Sequence, residues 1–138
     1  MAEQARVGGV VMFVQNLDRS VNFYTDVLML EVADRSPTAA LLSNADGATL
    51  ILRAMGRQAP HPLGSVGVQY VVWAAAGEKD LTRAEGALTA RGAHLETRSP
   101  EDVRLVEGRD PDGIPVMICY PGPDQRPLHE LPARIYGW

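Results

Sequence analysis

The sequence predicts an α+β fold in which one structural unit is used twice. Three observations predict it. Both halves read strand, helix, strand, strand, strand, with apolar alternation in the strands and helical spacing between them. Each half carries an Asp-Gly turn ahead of its last strand. The two turns are in register, since Ile51 lies five residues after Asp46 and Met117 five residues after Asp112. Such an internal repeat fixes the organisation before any local motif does.

The first predicted strand, Val7 to Val14, is apolar on both faces, as a strand covered on both sides should be. Asn16 or Asp18 then offers a helix N-cap. Leu17, Val21, Tyr24 and Leu28 follow at helical spacing and predict an amphipathic helix over Asp18 to Leu28. Strands are expected at Leu30 to Asp34, Thr38 to Ser43 and Ala48 to Ala54. The Asn44-Ala45-Asp46-Gly47 stretch supplies the reversal before the last of these. Gly56 to Ser65 lacks periodicity and reads as a linker.

The pattern then restarts. Val66 to Trp73 is a predicted strand. Glu78 to Arg91 is a predicted helix, with Leu81, Ala84 and Leu88 on one face and Gly92 as its stop. Strands are expected at Ala93 to Arg98, Val103 to Arg109 and Ile114 to Tyr120, with the Asp110-Pro111-Asp112-Gly113 turn before the last. The expected organisation is therefore one domain over 1–138. It comprises a first module at 7–55, a linker at 56–65, a second module at 66–120 and a Pro-rich tail at 121–138.

Composition narrows the function classes. A chain of 138 residues with 46% apolar and 22% charged residues fits one globular domain. No apolar run approaches the ~20 residues that span a bilayer, so no membrane partner is expected. The net charge of −4 disfavours nucleic acid and is compatible with a cationic ligand. The start, MAEQARVGGV, lacks signal-peptide features. The single Cys119 cannot form an internal disulfide, and a reducing cytoplasm is the expected home.

Two segments, VVMFVQNLDRSVNFYTDVLML (Val10 to Leu30) and GRDPDGIPVMICY (Gly108 to Tyr120), together with the repeat, resemble the vicinal oxygen chelate superfamily. That superfamily includes glyoxalase I, extradiol dioxygenases and bleomycin-resistance proteins. The resemblance runs from Val7 to Tyr120. It implies two βαβββ modules forming a curved mixed sheet around a cup, with helices on the convex side. It also implies a homodimer, in which modules are often exchanged between chains.

The family's metal ligands, commonly His on a module's first strand and Glu on its last, fall at Gly9, Ile51, Gln69 and Met117. Gln69 alone matches a known ligand type. One neutral amide does not hold a catalytic cation that normally needs about three protein ligands. No metal and no cofactor are expected. Met29 stands where relatives usually place Gly, so a positive φ there would carry a steric cost.

Alternation along strands gives these positions neighbours. With Gly9 facing the cup, Val11 and Phe13 face it too. Thr49 and Arg53 accompany Ile51. Gly67, Val71 and Trp73 accompany Gln69, and Pro115 and Cys119 accompany Met117. The opposite phase, Val10, Met12, Val14, Leu50, Leu52, Val72, Val116 and Ile118, is expected to pack on the helices. The candidate ligand-binding set is Gly9, Val11, Phe13, Thr49, Ile51, Arg53, Gln69, Val71, Trp73, Met117 and Cys119. It is an apolar wall with a few polar groups, as small-molecule pockets usually are. Gly9 leaves room for a ligand, and Gln69 is the polar anchor. The alternative for Phe13 and Trp73 is core filling, for Gln69 a structural amide, and for Arg53 a surface ion pair.

No catalytic residue is assigned. His61, His94 and His129 fall off the predicted cup-facing positions. Cys119 reads as buried and inert. Glu101 and Glu107 lie near the second half's strands, and Glu107 is either a solvated carboxylate or a group at the cup edge. The tail, with Ile135, Tyr136 and Trp138, is expected to dock over a cup or a dimer interface.

The leading expectation is a metal-free protein that sequesters a bulky, partly aromatic natural product or antibiotic. The alternatives are a glyoxalase- or dioxygenase-like enzyme, with or without metal, and an interaction domain whose cup is filled.

Overall fold

The computed structural model describes residues 3–56, 66–99, 102–123 and 125. The expected linker after Gly56, the C-terminal aromatic residues, His61, His129 and Glu101 lie outside those residues. The chain divides into two compact units, Met1–Ala59 and Pro60–Trp138. Each contains the predicted strand-helix-strand-strand-strand order, and the fold is α+β, with a helix lying against each mixed sheet.

The first unit contains β1 (Gly9–Val14), α1 (Leu17–Val27), β2 (Glu31–Arg35), β3 (Ala39–Ser43) and β4 (Thr49–Ala54). Its sheet order is β1-β4-β3-β2, with β1 parallel to β4 and the other pairs antiparallel. Asn16 is the N-cap of α1, and its side chain accepts the Arg19 N–H at 3.0 Å. Leu17, Val21, Phe23, Tyr24 and Val27 bury the inner stripe of α1. They cover the face of the sheet that holds Met12, Ala40, Leu42, Leu50 and Leu52. The Tyr24 hydroxyl lies 3.6 Å from the Met12 sulfur, which fixes which side of β1 meets α1. Beyond α1, Met29 has φ +56°. The Met29 side chain therefore sits in the left-handed region, where L-residues carry a cost of about 1–2 kcal/mol.

The second unit contains β5 (Val71–Ala74), α2 (Glu78–Ala90), β6 (His94–Arg98), β7 (Arg104–Arg109) and β8 (Pro115–Tyr120). Its order, β5-β8-β7-β6, repeats the first sheet, again with one parallel pair. Gly77 caps α2 without a side chain. Asp80 compensates by accepting the Ala76 N–H at 3.2 Å. Leu81, Ala84 and Leu88 are the buried stripe, and Gly92 ends the turn at φ +66°.

The two Asp-Gly turns are built alike. Asn44 Oδ1 accepts the N–H groups of Asp46 and Ala48, and Asp110 Oδ1 accepts those of Asp112 and Ile114. Gly47 and Gly113 then close each reversal with φ near +85° (+86° and +83°).

One predicted element differs beyond its ends. The strand expected over Val66 to Trp73 begins at Val71. Gly67 has φ +135°, outside the range of a paired strand, and Val66 and Val68 are exposed. The Gln69 amide turns back and donates to the Gly67 carbonyl at 2.9 Å.

Candidate ligand-binding faces

In the first sheet, Gly9 pairs with Thr49, Val11 with Ile51 and Phe13 with Arg53. Paired residues share a side, so all six lie on the face turned away from α1. Val11 and Phe13 are 61% and 64% exposed there. Gly9 does not leave room for a ligand, contrary to the expectation. The Thr49 side chain occupies that space and donates to the Gly8 carbonyl at 3.4 Å. A Cβ at Gly9 would run into Thr49 Oγ1.

The second sheet corrects the predicted phase of its first strand. Val71 pairs with Val116, Val72 with Met117 and Trp73 with Ile118. The α2 side is fixed by Gly108, where a Cβ would stand 2.9 Å from Leu88 Cδ2 of the helix. Gly108 pairs with Val116, so Val116, Ile118, Val71 and Trp73 face α2. Val71 and Trp73 therefore do not share a face with Met117. Tyr70 and Val72 do, and they pack against a buried cluster of Val103, Leu105, Met117 and Cys119.

Gln69 is displaced in the same way. Gly9 lies seven residues before the N-cap Asn16, and Tyr70 lies seven before the N-cap Gly77. Tyr70 is thus the equivalent of Gly9, and the four equivalent positions are Gly9, Ile51, Tyr70 and Met117. Met117 and Cys119 lie on the side the sequence predicts. Both are 0% exposed, so they form a packed cluster and not an open floor.

The sequence left Glu107 open between solvent and the cup edge. The structure buries it to 3% exposure, directly across from Met117 and Glu96. Arg98 Nη2 stands 3.6 Å from Glu107 Oε1, and Arg98 Nε stands 3.5 Å from Glu96 Oε2. The signal available in the sequence was parity with Leu105, since both residues alternate with the α2-facing Val106. His94 lies elsewhere. Its Nε2 is 2.8 Å from Thr97 Oγ1, which bonds Glu85, and Arg104 holds Glu85 at 3.0 Å. This network ties α2 to β6 and β7.

The model of the Glyoxalase/Bleomycin resistance protein/Dioxygenase superfamily matches residues 6–118. The chain belongs to this superfamily. One superfamily relative, the manganese-dependent 2,3-dihydroxybiphenyl 1,2-dioxygenase of Geobacillus genomosp. 3, is 27% identical over 128 residues. The match covers 86% of the chain but 38% of that relative, so the chain spans about two-fifths of its length. A glyoxylase/bleomycin resistance protein/dioxygenase domain from Frankia sp. EAN1pec matches with a TM-score of 0.74 at 22% identity. It covers 85% of this chain and 92% of its own. A lactoylglutathione lyase from Agrobacterium tumefaciens matches with a TM-score of 0.65 at 20% identity, over 86% and 95% of the two chains. At these identities the structural likeness is one of fold. Among the described residues, no helix is long and apolar enough to cross a membrane.

The manganese in that relative's name calls for a test of the donors in this superfamily member. Gly9 and Ile51 supply no donor atom. Met117 supplies a thioether and Tyr70 a phenol, which do not make the oxygen-rich or imidazole set that a hard divalent cation takes. Glu107 shares the face with both, but it is buried and the Arg98 guanidinium stands 3.6 Å from its Oε1. Among the described residues, no group of three His, Cys, Asp or Glu is placed to hold a metal. These residues do not fit a catalytic cation.

Proposed function

We propose that the protein is a metal-free binder of a bulky, partly aromatic small molecule, a natural product or antibiotic, which it sequesters unchanged. This is the role that the bleomycin-resistance part of the superfamily's name denotes. One observation carries the reading. The four positions that the repeat makes equivalent are Gly9, Ile51, Tyr70 and Met117, an apolar set with one phenol in place of metal donors. The exposed Val11 and Phe13 beside Ile51 support it, because flat and branched apolar side chains suit an aromatic body. The same exposed pair supports a homodimer, in which burying it is favourable. A reducing cytoplasm remains the proposed location.

The test is ligand recovery. A panel of polycyclic aromatic natural products is titrated against protein labelled at methionine methyl groups. Trp73 faces α2 and is a poor reporter, whereas Met117 sits among the residues in question. Bound compound is then extracted and weighed by mass spectrometry. Binding with an unchanged mass is the expected result. No shift at any methyl across the panel counts against the reading.

A second reading, an enzyme acting on a natural-product intermediate, is favoured by the similarity to the Geobacillus dioxygenase. It predicts a compound recovered with altered mass. Stoichiometric manganese, iron, nickel or zinc in the purified protein would favour its metal-dependent form.

A further inference from the structure

The face of the second sheet turned away from α2 carries a charged triad within its apolar cluster. Glu107 is the buried member, at 3% exposure. Arg98 lies between it and Glu96, 3.6 Å from one carboxylate and 3.5 Å from the other. Both separations exceed those of N–H···O hydrogen bonds, about 2.7–3.2 Å. Glu107 Oε1 and Arg98 Nε are sealed from solvent without a hydrogen-bond partner. A buried carboxylate in that state is costly, and a pair serving only stability would be expected to close to bonding distance.

Two further features give the triad a direction. Two carboxylates and one guanidinium leave one net negative charge. The three side chains also differ in access. Glu107 is 4% exposed, whereas Arg98 and Glu96 are 34% and 31% exposed. Arg98 stands on β6, the edge strand of its sheet, so it has solvent to move into and Glu96 to keep as a partner. Glu107 has neither.

We infer that Glu107 is the counter-ion for a cationic head group, a protonated amine on an apolar body, and that Arg98 holds this place until the ligand arrives. The amine takes the Glu107 oxygen, Arg98 turns toward Glu96, and the added positive charge neutralises the triad. Met117 is paired directly across from Glu107, so its methyl group reports on this place. This inference rests on the small-molecule-binding reading above and names the ligand class for it.

Three probes of one shape test it: 1-naphthylmethylamine, the neutral 1-naphthylmethanol and the anionic 1-naphthoate. Each is titrated against methyl-labelled protein, with the Met117 signal assigned through Met117→Leu. The amine is expected to bind about tenfold or more tighter than the alcohol, as a hydrogen bond between charged partners allows. The naphthoate is expected to bind weakest. In Glu107→Gln the amine's advantage is lost, whereas in Glu78→Gln, with the same change in net charge at an exposed site on α2, it is kept. Arg98→Met removes the competing cation and tightens amine binding at least threefold.

Equal binding of amine and alcohol, or equal effects of Glu107→Gln and Glu78→Gln, would overturn the inference and leave the binding reading standing. Binding by none of the three would count against both. If Glu107→Gln does not fold, Arg98→Met decides, and unchanged or weaker amine binding in it would overturn the inference.

Discussion

The same substitution, Gly to Ala, should have opposite effects at two positions of the second unit. Gly108 lies on β7 against α2. A Cβ there would stand 2.8 Å from the Ala93 carbonyl and 2.9 Å from Leu88 Cδ2. The carbonyl is held, because it accepts the Arg109 N–H at 3.0 Å. Leu88 is fully buried. Overpacking at such a site costs about 3 kcal/mol. The reduced freedom of the unfolded chain offsets about 1 kcal/mol. Gly108→Ala should therefore destabilise by about 2 kcal/mol, lowering Tm by roughly 8 °C. Gly86 lies within α2, and a Cβ there meets no atom within 4 Å. Gly86→Ala should stabilise by about 0.5–1 kcal/mol through helix propensity alone. Urea and thermal unfolding of both variants measure the pair. Tolerance of Gly108→Ala to within about 0.5 kcal/mol would refute the reasoning, because α2 would not then cover that side of the sheet. The placement of Trp73 toward α2, and of Tyr70 and Glu107 away from it, would fall with it.

Other outcomes follow from the same geometry. Met29→Gly relieves an exposed residue at φ +56° and should raise stability by about 0.5–1 kcal/mol, net of glycine's greater unfolded entropy, as read by chemical denaturation. Arg98→Met strands the buried Glu107 and should cost about 3 kcal/mol. Glu107→Leu should cost under about 1 kcal/mol, because Arg98 is a third exposed and keeps Glu96. Equal costs in urea titrations would show that Glu107 is not the buried partner. The Cys119 thiol, 0% exposed, should resist aromatic disulfide reagents in the native state and react fully in urea. Fast native labelling would contradict its packing beside Met117.

Most of the fold was legible because local signals agreed with one another. Asn16 and Gly92 bracket the helices, and the Asp-Gly turns anchor β4 and β8. The apolar stripes Leu17–Val21–Tyr24 and Leu81–Ala84–Leu88 bury as their spacing predicts. The first sheet's outward face was legible for the same reason, since Val7 to Val14 carries uninterrupted alternation into a well-marked helix start. The second was not. Val66, Val68 and Tyr70 continue an apolar alternation that the backbone abandons at Gly67. Strand phase has a period of two, so one residue of slip sends every side chain to the other face. The turns could not reveal the slip, because they fix the last strand of each module and say nothing of its first. The distance to the helix cap fixes the first strand, and it selects Tyr70. Glu107 was obscured for a different reason. A lone Glu is usually solvated, and its burial arises from tertiary placement, on a central strand between Glu96 and Met117.

The two modules have kept one backbone plan while their outward faces have taken on different physical characters. In the first, Val11 and Phe13 are exposed on a face that also carries Arg53, Glu31 and Asp34, and a Thr fills the space over Gly9. In the second, Leu105, Met117 and Cys119 are sealed, and one carboxylate, Glu107, is buried beside them. A metal centre shared by two equivalent modules would demand equivalent donors from both, and neither face offers them. A binder faces no such demand. An exposed apolar face suits the broad body of a ligand or a second copy of the chain. A buried carboxylate with a displaceable counter-ion suits one polar contact that selects among bodies of similar shape. The two faces also separate the tests: changes at Val11 or Phe13 should alter binding or self-association at the first face, whereas changes at Glu107 should alter the ranking of amine, alcohol and naphthoate at the second.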